Sequence, residues 1–533
     1  MRIGCLCRLC LILIGIAQAT LVCAAASDSA PRSSACAQSS DAASASSDRD
    51  AAQALASSHH VVSTSDASAQ ALFDRGLTLY YAYNGSEGVH VFQALAQREP
   101  KLAMAHWGMA LSYGSDFNQA LTQDNFAAAH AAIEKAVALE AGASDAERVY
   151  IDAMRLRYSG AWKDHAQAES AYRNAMAAAF AKYPQDDDLG ALYVEALLEK
   201  KETTPLWQPG TDRPASKDTQ TMVDVLERII ARNPTHLLAN HLILHVFELS
   251  ADRRRALPSA ERLDKAKLAP EDEHLAHMSV HAYVRAGDYA KAVRASCRAI
   301  ALFDRYRATP GIDRTHEPYI WHDLMHGHAA AMLLGNYAQA KWFVDRLNAQ
   351  PKHTHLNSLT SARFGRWEEV AKAAPQEPAD PAHFALALMR LNRGEADAAR
   401  AELSDALCEK GAMSYLAYAL RGAADVLQGR RDAASSNFKE ALAREKDGYT
   451  GADTPLFPSD EIIGGTYLRA GDAVAAERAY REALALYPND PRALFGLAEA
   501  LRRQGKHAEA QAKADEFAAA WKGSDTTLTA KML

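Results

Sequence analysis

Histidines recur in the middle of the chain at spacings that gather imidazoles onto common helix faces: His241 and His245, then His274, His277 and His281, then His322 and His326. Residues three and four apart lie one above the other on a helix, so each of the three stretches presents an imidazole face. Glu248 shares the face of the first. Neutral imidazole is a good borderline ligand, and a nearby carboxylate can orient a ring or add charge, so zinc, copper or iron is the ion such a set would hold. On this reading His241, His245, His277 and His281 are the ligands, and His274, His322 and Glu248 their neighbours. The same residues allow another reading, in which the imidazoles make structural hydrogen bonds between packed helices or line a groove that grips a peptide.

What positions these faces is a repeat. From about Ala69 onward the chain reads as helices of ordinary length separated by short breaks with Gly or Pro. Near the end, GDAVAAERAYREALALYP and GKHAEAQAKADEFAAAW align with Gly471 over Gly505, an offset of 34 residues. A turn Gly followed by small or apolar residues five, nine and twelve positions later also recurs from Gly287, Gly335, Gly394 and Gly429. This is the tetratricopeptide frame: the Gly allows the tight turn, a small Ala lets two helices approach, and Tyr480 or Phe438 fills the space between pairs. The expected fold is all-α, a superhelical solenoid of antiparallel helix pairs. Degenerate repeats are expected over 69–378 and a regular array over 379–533, with a long loop at 205–220. Each histidine stretch precedes a turn and a partner helix, so each is the first helix of its pair. First helices lie side by side and line the concave face, where the three imidazole faces would meet.

The chain resembles a family of bacterial exported tetratricopeptide proteins of uncharacterised function. The resemblance rests on FDRGLTLYYAYNGSEGVHVFQALAQREPKLAMAHWGMALSYGSDFN, YPQDDDLGALYVEALLE, HLILHVFELS, HLAHMSVHAYVRAGDY and YPNDPRALFGLAEALRRQGKHAEA, and so covers nearly all of the folded region. The family's first histidine helix reads HYYIHAxE, matched by His241, His245 and Glu248. Its second reads HMPSHIYxRxG, matched by His277, Met278, His281, Tyr283, Arg285 and Gly287, with Ser279 and Val280 in place of Pro-Ser. Its third carries a His-Asn-Leu-His run. Here His322 and Leu324 remain, Asp323 and Met325 depart from it, and His326 comes one residue later, so the ligand set is drawn from the first two helices.

A second candidate is an N-terminal groove in which Tyr83, Trp107, Asp116 and Asn118 would bring aromatic and short polar groups together to bind a peptide. The alternative is that the bulky members simply pack one helix pair on the next. Asp186, Asp187 and Asp188 are expected to cap the helix that follows them.

Residues 1–26 have the charged, apolar, small-residue order of a signal peptide, with cleavage expected near Ala24–Ala26 and lipid anchoring at Cys23 as the competing outcome. The protein is thus expected to be exported, periplasmic or secreted, with a protein or peptide partner in the cell envelope. Residues 27–68 are Ser/Ala-rich and read as a disordered linker in which His59 and His60 are a solvated pair. After the leader only Cys36, Cys297 and Cys408 remain, too few for a disulfide framework, and Cys297 reads as a buried small hydrophobe. A net charge of -7 with no basic block argues against nucleic acid, and no later stretch could span a membrane. The chain contains no GxSxG, HExxH or phosphate-binding loop, so the reading leans away from an enzyme.

Overall fold

The computed structural model describes residues 36, 58–199, 205–208, 210–310, 319–350, 355–377, 379–404, 407–408, 413–448 and 456–533. The expected signal peptide at 1–26 and most of the expected linker lie outside these. Twenty-four α-helices follow one another, and the only bridge between extended residues is an isolated one, Trp207 to Pro214, among the described residues. The fold is therefore the all-α solenoid of helix pairs. No helix among the described residues is long and apolar enough to cross a membrane.

The turn frame explains the pairing. Gly287 and Gly335 have φ of 79° and 76°, in the left-handed region where a side chain would be strained, and each ends a histidine helix so that its partner can begin two residues later. The other four frame glycines share this conformation. Downstream of Gly287, Ala292, Ser296 and Ala299 are all fully buried, and downstream of Gly335 so are Ala340, Val344 and Leu347. Small residues on one helix then admit a ring from another. A Cβ added to Gly464 or Gly496 would come within 2.8 or 2.1 Å of the Tyr480 ring, and one on Gly327 within 2.3 Å of Phe343. The last contact matters to the site, because Gly327 lies on the third histidine helix and Phe343 sets how closely that helix seats on its partner.

The histidine helices are Leu237–Phe247, Glu273–Ala286 and Tyr319–Leu334. They pack side by side, as expected of first helices, with Leu257–Lys265, Tyr289–Arg307 and Tyr337–Asn348 as their partners. The loop expected at 205–220 ends earlier, where helix Lys217–Arg232 begins, and it is anchored to the first of them: Trp207 is buried, packs tilted on Phe247 and donates its indole N–H to the Val246 carbonyl at 2.6 Å.

The C-terminal repeats return onto this middle region. Arg363 forks onto Glu461 at 2.7 and 2.8 Å, Tyr289 donates to the Pro488 carbonyl at 3.1 Å, and Asp525 accepts from the Tyr337 and Ala338 amides at the start of helix Tyr337–Asn348. The partners of the second and third histidine helices are thereby held from behind.

Two N-terminal expectations are corrected. Residues 58–66 are not a solvated spacer: Val62 is buried, the Ser58 amide donates to Thr78, and the Ser63 amide donates to Glu147 at 2.7 Å. His59 and His60 are not merely solvated either, since they lie 2.7 Å from Asp74 and 2.8 Å from Asp188. Composition is blind to this, because single polar side chains finding partners far along the chain hold the segment down. The second correction is a disulfide. Cys36 and Cys297 are bonded across 261 residues, so Cys297 is a cross-link and not just a small hydrophobe. Reduction, or Cys297→Ser, is expected to lower the unfolding free energy by about 2–4 kcal/mol, chiefly by releasing the unfolded chain from a long closed loop. Urea titrations with and without dithiothreitol check this, and coincident curves would mean that the bridge does not form.

Candidate functional site

The second and third histidine helices meet through four imidazoles. The ring centroids of His277, His281, His322 and His326 lie 4.5–5.5 Å apart, and one nitrogen from each falls within 4.8 Å of the others. Two i, i+4 pairs on adjacent helices produce this directly, each helix supplying two rings to the seam. His277, His281 and His326 are buried, and His322 is partly so.

Carboxylates stand behind two of the rings. His277 Nδ1 lies 2.9 Å from Asp323, and His281 Nδ1 lies 2.8 Å from Glu248. Negative charge at that distance favours a proton on Nδ1, although His277 Nδ1 makes no aligned hydrogen bond among the described residues. The Nε2 atoms of the two rings approach to 2.9 Å. At that range one ring donates an N–H to the other or, where both protons sit on Nδ1, a cation lies between the two lone pairs. Buried His326 has no hydrogen-bond partner for either ring nitrogen among the described residues, an uncommon state for a native buried group.

A second group borders the first. His241, His245 and His274 also bring one nitrogen each within 4.8 Å of one another. His241 Nδ1 donates to the Tyr81 carbonyl at 2.7 Å, so its Nε2 is the unprotonated nitrogen, and this stands 3.2 Å from His245 Nε2. His274 is on the same helix as His277, and the two rings stack at 5.9 Å, linking the groups.

Electrostatics keep five of these imidazoles neutral. Burial holds His245, His277 and His326 well below the usual imidazole value, and it lowers His241 to about 4 and His322 to about 2, with neighbouring imidazoles adding to the effect. Neutral imidazole is the form that ligates.

The expected ligands therefore do not form one cluster. His241 and His245 belong to one group, His277 and His281 to the other. His326, left out at the sequence level, is a full member of the tetrad, and so are His274 and His322 of their respective groups. Glu248 is behind a ring and not among the converging nitrogens. Asp323 was passed over as a departure from the resembled run, yet it faces His277. Its position one residue after His322 was the available signal, because a helix turns neighbouring residues towards different sides.

The separate N-terminal groove is also corrected. Trp107 is 2% exposed and donates to the Tyr150 carbonyl, which makes it core. Tyr83 is 1% exposed and lies over His241, His245 and His274 with centroids 4.3, 5.9 and 5.4 Å away. Asp116 is buried and accepts from the Asn118 and Gln119 amides at 2.7 Å, while exposed Asn118 reaches to 3.5 Å from His274 Nε2. Phe117 packs on His245 at 4.4 Å. Tyr83, Phe117 and Asn118 thus form a wall of the histidine site, because the N-terminal turns lie over helices Leu237–Phe247 and Glu273–Ala286.

A third constellation is structural. Asp186 caps helix Asp187–Leu198 as expected, whereas Asp188 gathers His60, His236 and the Tyr81 hydroxyl. Burial alone would raise the Asp188 carboxyl, but the two histidines hold it well below the usual range.

Residues 479–512 match the tetratricopeptide repeat. The match covers helix Ala473–Leu486 from its middle and helix Pro491–Arg503, where the sequence frame is most regular. No curated protein matches the chain in sequence. Among solved structures, the chain is similar to the APC/C heterotetramer Cut9–Hcn1, at 13% identity over 79% of this chain and 80% of that one, with a TM-score of 0.33. It is similar also to the human IFIT1 dimer with m7Gppp-AAAA, at 12% identity over 83% and 89% with a TM-score of 0.31, and to the P58(IPK) TPR domain, at 13% over 83% and 99% with a TM-score of 0.21. At these scores the likenesses add nothing about partners. The repeat itself suggests a protein-interaction scaffold.

Proposed function

We propose that this chain is a metal-binding tetratricopeptide scaffold of the cell envelope, with a transition-metal ion held by His277, His281, His322 and His326. The observation that carries the reading is the pair of Nε2 atoms facing each other at 2.9 Å while both Nδ1 atoms lie against carboxylates. Ligands at about 2.0–2.1 Å around a tetrahedral ion stand about 3.3 Å apart, a small adjustment from this arrangement. Four imidazoles suit zinc, copper or iron, and a set of four fills a tetrahedral ion, which favours holding or transferring over hydrolysis. Export is supported by the charged and apolar leader and by the Cys36–Cys297 bridge, since disulfides persist in oxidising compartments.

Engagement of a protein or peptide is the second reading, favoured by the repeat at 479–512. Tyr83 and Phe117 cover His241, His245 and His274, so a partner would engage the concave face away from these rings.

Untagged protein that has never met a metal resin is expected to carry zinc, copper or iron by mass spectrometry, and chelation is expected to lower its melting temperature. Protein that takes up none of the three on dialysis and melts identically with chelator would overturn the reading.

A further inference from the structure

The tetrad uses only part of the histidine cluster, and the remaining three rings have their own geometry. We propose that His241, His245 and His274 hold a second metal ion beside the first, with one coordination position left to a small exogenous ligand such as hydroxide or azide. The inference rests on the same metal chemistry as the tetrad, but on different residues.

Several observations converge on it. The three nitrogens lie within 4.8 Å of one another, contributed by two helices whose relative placement the fold fixes. The proton of His241 is committed to the Tyr81 carbonyl, which can only accept, so the Nε2 facing His245 is a lone pair. His245 Nε2 can donate to that lone pair across 3.2 Å, which leaves His245 Nδ1 a buried acceptor with no partner among the described residues, an uncommon state for a native interior.

The surroundings differ from those of the tetrad in a way that bears on chemistry. Among the described residues no carboxylate joins the three nitrogens. Tyr83 covers the rings, and its backbone has a φ of 57°, a left-handed conformation that a bulky residue adopts only where surrounding packing imposes it. Phe117 closes against His245. Three imidazoles with aromatic walls resemble a centre that keeps a position open, whereas four imidazoles fill the coordination sphere of a tetrahedral ion. The stacked His274 and His277 rings make the two ions neighbours.

Cobalt(II) titration of metal-free protein tests this, because its visible absorption reports coordination and equilibrium dialysis counts the ions. Wild type is expected to bind two equivalents, and azide to alter the spectrum. His241→Ala/His274→Ala is expected to bind one equivalent that ignores azide, and His322→Ala/His326→Ala one equivalent that responds to it. A single azide-insensitive equivalent in wild type, two retained in the first variant, or azide-insensitive cobalt in the second would overturn the proposal. If the first variant binds none while the second keeps its azide-sensitive ion, the triad stands and the tetrad reading fails. Circular dichroism confirms the helices, and where an alanine pair unfolds, His274→Gln and His322→Gln replace it with the same expected loss of one ion each.

Discussion

Replacing His277 and His281 together by alanine is expected to abolish metal binding at the tetrad while leaving the helical content in place. Both rings come from one helix, Glu273–Ala286, and contribute the two Nε2 atoms at 2.9 Å, so the change removes half the donors and the closest pair among them. Alanine is a strong helix former, so the helix itself survives. Asp323→Asn is the sharper companion. It preserves shape at a position 1% exposed but removes the charge 2.9 Å from His277 Nδ1, and metal affinity is expected to fall about 10–100-fold. Competition against a chromophoric chelator measures both. If Asp323→Asn lowers stability while affinity stays unchanged, the carboxylate is a structural partner only.

Metal-free protein is expected to lose stability as the pH falls below about 6.5, the ordinary imidazole value. His241 is lowered to about 4 and His328 to about 3, both chiefly by burial. In each case the unfolded chain takes up a proton at a pH where the native state does not, so the contribution is complete above 6.5 and is lost as pH falls through the native value. For His241 the full loss is on the order of 3 kcal/mol. Burial raises the carboxyls of Glu195, Glu199 and Asp460, and these act in the opposite sense, so the imidazole share must be isolated. His328 donates to or accepts from Thr360 at 2.9 Å and belongs to neither histidine group, which makes His328→Gln a clean comparison. The stability of wild type relative to His328→Gln should decline by about 1.4 kcal/mol per pH unit below 6.5. Parallel pH profiles would show that His328 is not held neutral.

Much of the fold was legible because its determinants are local. A turn Gly with small residues at fixed offsets specifies a helix pair without knowledge of the rest, and all six frame glycines adopt the left-handed conformation. That the second and third histidine stretches would be neighbouring first helices followed from the same frame, through Gly287 and Gly335. The N-terminal segment was misread for the complementary reason: Ser58, His60 and Ser63 are held by Thr78, Asp188 and Glu147, partners that composition cannot reveal.

By itself, then, the sequence determined the all-α repeat, the placing of the histidines on common faces, and the choice of imidazole chemistry, since periodicity states which side of its own helix a residue occupies. Only the tertiary structure decided how those faces divide. The seam between two helices pairs His277 and His281 with His322 and His326, the overlying N-terminal turns cap His241, His245 and His274 with Tyr83, and Asp323 faces a ring on another helix. It also decided the bond between Cys36 and Cys297. Such pairings depend on interaxial distance, helix rotation and long-range closure of the chain, none of which a pattern along one helix encodes.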